Sequence, residues 1–369
     1  MTLCNKIIKF RKEGAKIRKA TSNIKKEELV KLAKNLASEY SLLLKLILFK
    51  KFVVSFTVEK TFNLPIFPGV TLRGAFGWAL KRNACALRRG NEEFAYQNNS
   101  CDTCSAREYC PYVKIFKSPN GNESQFTHSP AFVIEAPINL KTNYSPGETY
   151  EFGITIFGKY INYILFIVDS VKLMGRFGFG DGKATVDKVY FEDPVTKERQ
   201  IFIDNKTGLL YKLKPIKQAK TKRRIEELLK SNTLTISFVS PVKARVDKRI
   251  SPELTFTNLI RLIIRRTNQL SSYYGIKDSG PSKKPLLSIY DTKKLVEDSK
   301  RIETVNYDLY DFPIERFSKS GNVKMNLNGF TGSVTYRGDF SKFIPLLLLG
   351  ERLHIGKNAS FGLGRYEIV

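Results

Sequence analysis

Residues able to do chemistry are few in this chain and unevenly placed. One of its two histidines, His354, stands between a run of leucines and the segment Gly356-Lys357-x-x-x-Phe361-Gly362-Leu363-Gly364-Arg365-Tyr366. Glycines let a backbone approach another backbone or a phosphate closely, and Lys357 and Arg365 bring positive charge to the same place. The simplest partner for such a segment is a polyanion. His128, the other histidine, lies in a polar stretch and reads as exposed and idle. Four of the five cysteines, Cys85, Cys101, Cys104 and Cys110, form a second group. The pair Cys101-x-x-Cys104 closes a tight turn that can present two thiolates to one metal. Cys85 and Cys110 can complete a tetrahedral set for a structural zinc or an iron–sulfur cluster. The spacing matches no standard finger, so a disulfide and plain reduced thiols stay open beside the metal. A metal there would staple an insertion, not catalyse.

Across the chain, 62 lysines and arginines face 35 acidic residues, a formal net charge of +27. Such an excess favours nucleic acid or an anionic membrane as partner, with a generally lysine-rich composition as the bland alternative. No apolar run reaches the ~18 residues that span a bilayer, and no signal-peptide core follows the basic N-terminus. The expectation is a cytoplasmic protein with no membrane partner. Residues 1–20 read as a basic tail, either solvated or an electrostatic arm on nucleic acid. A helix follows, from Ser22 to about Tyr40.

Two sets of elements lead up to the glycine-rich segment. Alternation over Ser41–Glu59 predicts a strand, and Pro68-Gly69 a turn into a helix ending near Arg89. Leu72, Phe76, Ala79, Leu80 and Leu87 form its core stripe; the pairs Lys81 and Arg88, and Arg82 and Arg89, share another face. With Arg73 they make a phosphate-contacting surface, or merely a soluble one. Strands are expected at 131–138 and 149–157, a helix at 160–173, then the glycine-rich run 174–183 containing Arg176, and a strand at 184–191. A second set repeats the order: a strand at 234–238, a helix at 255–274, a charged loop and hairpin over 275–305, a strand at 329–337, and a helix around Pro345. Gly175 and Gly356 take matching places in the two sets. Each set is a β-α-β-β-α-β unit, hence an α+β class protein with tandem ferredoxin-like (RRM-like) domains. The expected organisation is a basic N-terminal extension over 1–40, a first domain over 41–231 with a cysteine-containing insertion at about 85–125, and a second over 232–369.

Three segments together carry a resemblance: Pro68-Gly69-Val70-Thr71-Leu72-Arg73-Gly74-Ala75-Phe76-Gly77, the run from Cys101 to Cys110-Pro111-Tyr112, and the closing His354-to-Tyr366 segment. The chain resembles, over about residues 45–369, the CRISPR precursor-RNA-processing endoribonucleases of the RAMP superfamily. The resemblance implies binding of CRISPR repeat RNA and its cleavage without a metal ion. A ribose 2′-hydroxyl would attack the adjacent phosphate, leaving a 2′,3′-cyclic phosphate and a 5′-hydroxyl. That reaction needs a base, an acid and a cation at the crowded phosphate. In the matching motif His354 stands as general acid or base and Lys357 as phosphate stabiliser; Arg73, Lys81, Arg82, Arg88, Arg176 and Arg365 stand as RNA contacts. His354 can equally bind RNA or support the loop. Several family members carry a histidine on or near the first helix, where this chain has none. The alternative is a non-catalytic RAMP subunit that grips guide RNA among other CRISPR effector subunits.

Overall fold

The computed structural model describes residues 26–85, 101–117, 129–137, 141–178, 182–193, 196–213, 218–246, 249–250, 253–275, 291–318 and 323–369. The expected basic tail, Leu87, Arg88, Arg89, His128 and the centre of the first glycine-rich run lie outside them.

Helix α1, Lys26–Leu46, opens the described chain and strand β1, Phe49–Lys60, follows it. The helix therefore includes Ser41–Leu46, which alternation assigns to the strand. Leu32, Ala33, Leu36, Tyr40 and Leu43 are buried at helical spacing, and the packing of that stripe against other helices decides the state of the segment. Helix α2, Gly69–Ala84, and the short α3, Pro111–Phe116, come next. Strands β2 (Phe132–Glu135) and β3 (Thr149–Phe157), helix α4 (Ile164–Phe177) and strand β4 (Lys183–Glu192) complete the first unit. A hairpin, β5 (Arg199–Asp204) and β6 (Leu209–Leu210), extends it. The antiparallel sheet runs β2-β3-β1-β4-β5-β6, so its first four strands have the order of a ferredoxin-like unit.

Helix α5, Gln218–Leu229, occupies the stretch between the two units and packs on α1. The second unit is β7 (Thr233–Val242), α6 (Phe256–Tyr274), α7 (Thr292–Ser299), β8 (Glu303–Phe312), β9 (Gly329–Arg337), α8 (Ile344–Leu353) and β10 (Tyr366–Ile368). Its sheet runs β8-β9-β7-β10, the same order again. Caps explain several boundaries. The Thr255 side chain accepts from the Asn258 N–H, Asp291 accepts from the Lys294 N–H, and Pro345 sits in the first turn of α8, where its missing N–H costs nothing. The Asp291 cap starts a helix in the region read as loop and hairpin.

The two units are joined by buried contacts. A Cβ on Gly158, just after β3, would stand 2.8 Å from the carbonyl of Tyr274 at the end of α6. Helix α1 packs on α8, and the Tyr40 hydroxyl donates to the Leu348 carbonyl at 3.5 Å. Helix α1 is thus a brace, and α5 adds to it through Arg224, which pairs with buried Glu351 of α8 at 2.7 Å. Close approach also revises the repeat. A Cβ on Gly175 would meet the Ala184 carbonyl, and one on Gly350 the Tyr366 hydroxyl, each at 2.3 Å. Gly350, not Gly356, is therefore the counterpart of Gly175, because both let the last turn of a helix touch its unit's final strand.

Candidate nucleic-acid interface

The closing segment does not hang free. Glycine at position 364, with φ +76°, donates its N–H to the Pro241 carbonyl at 2.9 Å, and its own carbonyl accepts from the Ile355 N–H at 2.9 Å. Gly356 and Asn358 also have positive φ, +83° and +63°, so Lys357 is carried on a tight bend that folds back on β7. There the Lys357 N–H donates to the Lys243 carbonyl at 3.1 Å. Lys357 itself is exposed, while Lys243 is half-buried and donates from Nζ to the Asn326 carbonyl at 2.9 Å. Burial, helped by the neighbouring charge of Lys357, pushes the Lys243 ammonium down from its ordinary value.

Further along, the segment meets the first unit. Gly69, the first residue of α2, lies so close to the Phe361 carbonyl that a Cβ would sit 2.1 Å from it. Arg73, one turn on, donates from Nε to the Ser360 hydroxyl at 3.2 Å. Its guanidinium lies 4.4 Å from the Phe361 ring centroid and 4.5 Å from that of Phe116 in α3. One arginine thus clamps α2, α3 and the glycine-rich segment into a seam. Beside the seam lie a bend with little side-chain bulk and two lysines, Lys243 and Lys357, groups that suit a phosphate backbone.

His354 lies behind the seam. It caps α8 with φ +57°, is 1% exposed, and places Nδ1 3.2 Å from the Leu363 carbonyl. A carbonyl only accepts, so Nδ1 carries the donating proton and Nε2 turns toward Oε1 of Glu135 in β2, 3.7 Å away. Glu135 belongs to a buried charged group. Lys51 of β1 reaches Glu135 and Glu192 at 2.7 Å each, the Thr155 hydroxyl donates to Glu135 at 2.6 Å, and Arg365 lies 3.8 Å from it. Burial alone would raise the Glu135 carboxyl; Lys51, with His354 and Arg365, more than offsets this and holds it well below the usual carboxylate range.

Beneath this group Arg266 of α6 donates from Nε to the Leu353 carbonyl at 2.9 Å and from a terminal nitrogen to the Ser129 hydroxyl at 2.8 Å. Its burial pushes it down to about 10. Glu135, Lys51, Arg266 and Lys243 contribute here although no motif of the sequence marks them. Glu135 closes the apolar run Phe132–Ile134, and Arg266 stands on the apolar stripe of α6: a charge where the pattern calls for a hydrophobe was the signal.

The remaining candidates are spread out. Lys81 faces the cysteine segment, where it opposes the rise that burial imposes on the Cys101 thiol. Arg82 lies against Trp78 and Phe177, Arg176 is exposed at the end of α4, and Arg365 also reaches Glu367 at 3.4 Å. Arg73, His354, Lys357 and Arg365 are therefore assembled about one segment; Lys81, Arg82 and Arg176 are not part of that assembly. Cys85, Cys101, Cys104 and Cys110 are half-buried free thiols. Among the described residues, no group of three or more histidine, cysteine or acidic side chains is arranged to hold a metal ion. No helix among them is long and apolar enough to cross a membrane.

Comparison with known proteins bears on both halves. Residues 46–215 match the family model of the AF_1859 N-terminal domain, and residues 236–366 that of the CRISPR-associated endoribonuclease Cas6. An uncharacterized protein of Archaeoglobus fulgidus is 22% identical over 310 residues, which cover 83% of this chain and 93% of that one. A chain of a partial Cas6-RT-Cas1–Cas2 complex shares the fold at a TM-score of 0.51 and 13% identity over 87% of this chain, which spans 46% of that polypeptide's length. Cas6 of Thermus thermophilus aligns over 88% of this chain and 99% of its own, at 14% identity and a TM-score of 0.46. Residues 236–366 are thus similar to the CRISPR-associated endoribonuclease Cas6 family, and the chain shares the fold of the Cas6-RT-Cas1–Cas2 polypeptide.

Proposed function

We propose that the chain binds CRISPR repeat RNA along the seam and cuts it once per repeat by metal-independent transesterification. The 2′-oxygen forms a bond to the adjacent phosphorus while the bond from phosphorus to the 5′-oxygen breaks. A base takes the 2′-hydroxyl proton, and an acid returns one to the leaving oxygen, giving a 2′,3′-cyclic phosphate and a 5′-hydroxyl. The observation that carries this reading is the seam itself, where α2 of the first unit meets the glycine-rich segment of the second unit with Lys357 exposed beside it. In this proposal Lys357 stabilises the crowded phosphate, with Lys243 beside it. Arg73 and Arg365 hold the seam's shape, and Lys81, Arg82, Arg88 and Arg176 meet RNA beyond it. His354 is the acid or base only if the segment opens far enough to part it from Glu135; closed, it positions the loop. The Cas6-RT-Cas1–Cas2 neighbour suggests further CRISPR-associated proteins as partners.

A second reading, a non-catalytic RAMP subunit that grips RNA, is favoured by one observation: the His354 ring is shut away from solvent. Labelled repeat RNA incubated with the protein in excess chelator separates the two. The nuclease reading expects one cut per repeat with a cyclic phosphate end; tight binding with no cut selects the subunit. His354→Ala and Glu135→Gln then assign the histidine. A loss of about a hundredfold in the cleavage step with His354→Ala alone marks an acid or base, whereas equal losses with both mark a positioning role.

A further inference from the structure

Trp78 is the only tryptophan of the chain, and it stands on α2 with its ring centroid 5.2 Å from that of Phe177, edge to face. The guanidinium of Arg82, one turn on from Trp78, lies 4.3 Å from the Phe177 centroid and 5.3 Å from that of Trp78. Phe177 ends α4 and is 48% exposed. A phenylalanine of this exposure is not there to fill the core; beside an arginine it offers a flat face with positive charge next to it. We propose that Trp78, Arg82 and Phe177 form a stacking platform for an unpaired RNA base, distinct from the seam. The proposal rests on the reading of the chain as a protein that handles RNA, and names where the strand goes beyond the seam.

Two further observations favour RNA as the occupant. Helices α2 and α4 hold between them a single acidic residue, Asp169, which lies 4.0 Å from Lys172, against five basic ones. Bases stack on aromatic rings and arginine planes irrespective of sequence, and a basic surround holds the strand. The platform is also rigid, since Asn83 donates to the Ser170 hydroxyl at 3.1 Å and to the Phe166 carbonyl at 3.4 Å, locking α2 on α4. Arg73 and Arg82 are nine positions apart, at about 100° each, which puts the platform on the side of α2 away from the seam.

The lone tryptophan makes the test direct. The full chain is titrated with a short, labelled oligouridine, following Trp78 emission and label anisotropy together. The platform predicts saturable quenching that tracks the anisotropy, and affinity about tenfold weaker for both Phe177→Ala and Phe177→Leu. Phe177→Tyr, which keeps the ring, retains affinity, and far-UV circular dichroism checks that each variant is folded. Tight binding with Trp78 emission unmoved and Phe177→Leu binding as wild type overturns the platform and leaves RNA handling standing. Failure of wild type to bind any RNA overturns both. Emission that responds to a protein partner but to no RNA overturns the platform as drawn.

Discussion

A carboxylate as buried as Glu135 is stable only while its cations stay in place. Lys51 at 2.7 Å is the nearest of them, ahead of His354 and Arg365. Its folded titration lies well below the unfolded value of about 4.3. The stability it contributes is therefore complete above that unfolded value and is lost as the pH falls through the folded one. Glu135→Gln leaves Lys51 its second partner, Glu192, but strips the charge facing His354 and Arg365. Denaturant unfolding at pH 7 should show a loss of about 3 kcal/mol, the lower end for breaking a buried pair. Across the acid limb below about pH 4, wild type should lose stability faster than the variant, so the two curves converge. Parallel curves would mean that Glu135 is not held low. The histidine at φ +57° that ends α8 is held through one ring nitrogen, Nδ1, by the Leu363 carbonyl at 3.2 Å.

At the scale of elements, two glycines with opposite surroundings give a matched test of how the seam is built. Gly74, on the exposed face of α2, has nothing within 4 Å of where a Cβ would go. Gly74→Ala should raise stability by about 0.5–1 kcal/mol by restricting the unfolded chain and favouring the helix. Gly364 combines φ +76° with a Cβ position 1.7 Å from the Ile355 carbonyl. Gly364→Ala should lower the thermal midpoint and weaken RNA binding together, because the bend carrying Lys357 must move; a neutral result there would refute the close-packed seam. The same contrast shows what could be read in the chain beforehand. Strands β3 and β9 and helix α6 were legible because one face of each is apolar at a clean period, and the tandem order follows from them. Ser41–Leu46 was misread because Leu42, Leu43 and Leu44 suit a buried strand as well as a helix, and only packing against other elements decides. The glycine-rich segment was legible as special; its junction with Gly69 was not, since nothing local links positions 69 and 361. Nor could spacing say that His354 faces inward, a matter of which strand of the other unit lies behind it.

Taken whole, the molecule carries a formal charge of +27, so the proposed binding of RNA should draw much of its affinity from displaced counterions and be sensitive to salt. What the fold adds is where that charge is useful. Lys243 and Lys357 are brought together by the hydrogen bond between their backbones, from positions far apart in sequence, and sit beside the seam. Arg73 and Arg365 are engaged inside the molecule by Ser360, Phe361, Glu135 and Glu367. The two kinds of residue should separate in a salt titration of binding to unstructured RNA. Each lysine contacting a phosphate contributes about 0.7 to the slope of log affinity against log salt for a single strand. Changing Lys243 and Lys357 together to glutamine should therefore flatten the slope by about 1.4, with similar loss for every RNA sequence, and leave the unfolding midpoint near that of wild type. Arg73→Gln should do the reverse, lowering the midpoint by unclamping α2, α3 and Phe361 while leaving the salt slope nearly as steep. If Arg73→Gln flattens the slope and the lysine pair does not, RNA enters the seam from the side of α2, and the exposed bend at Lys357 is not where the phosphate lies.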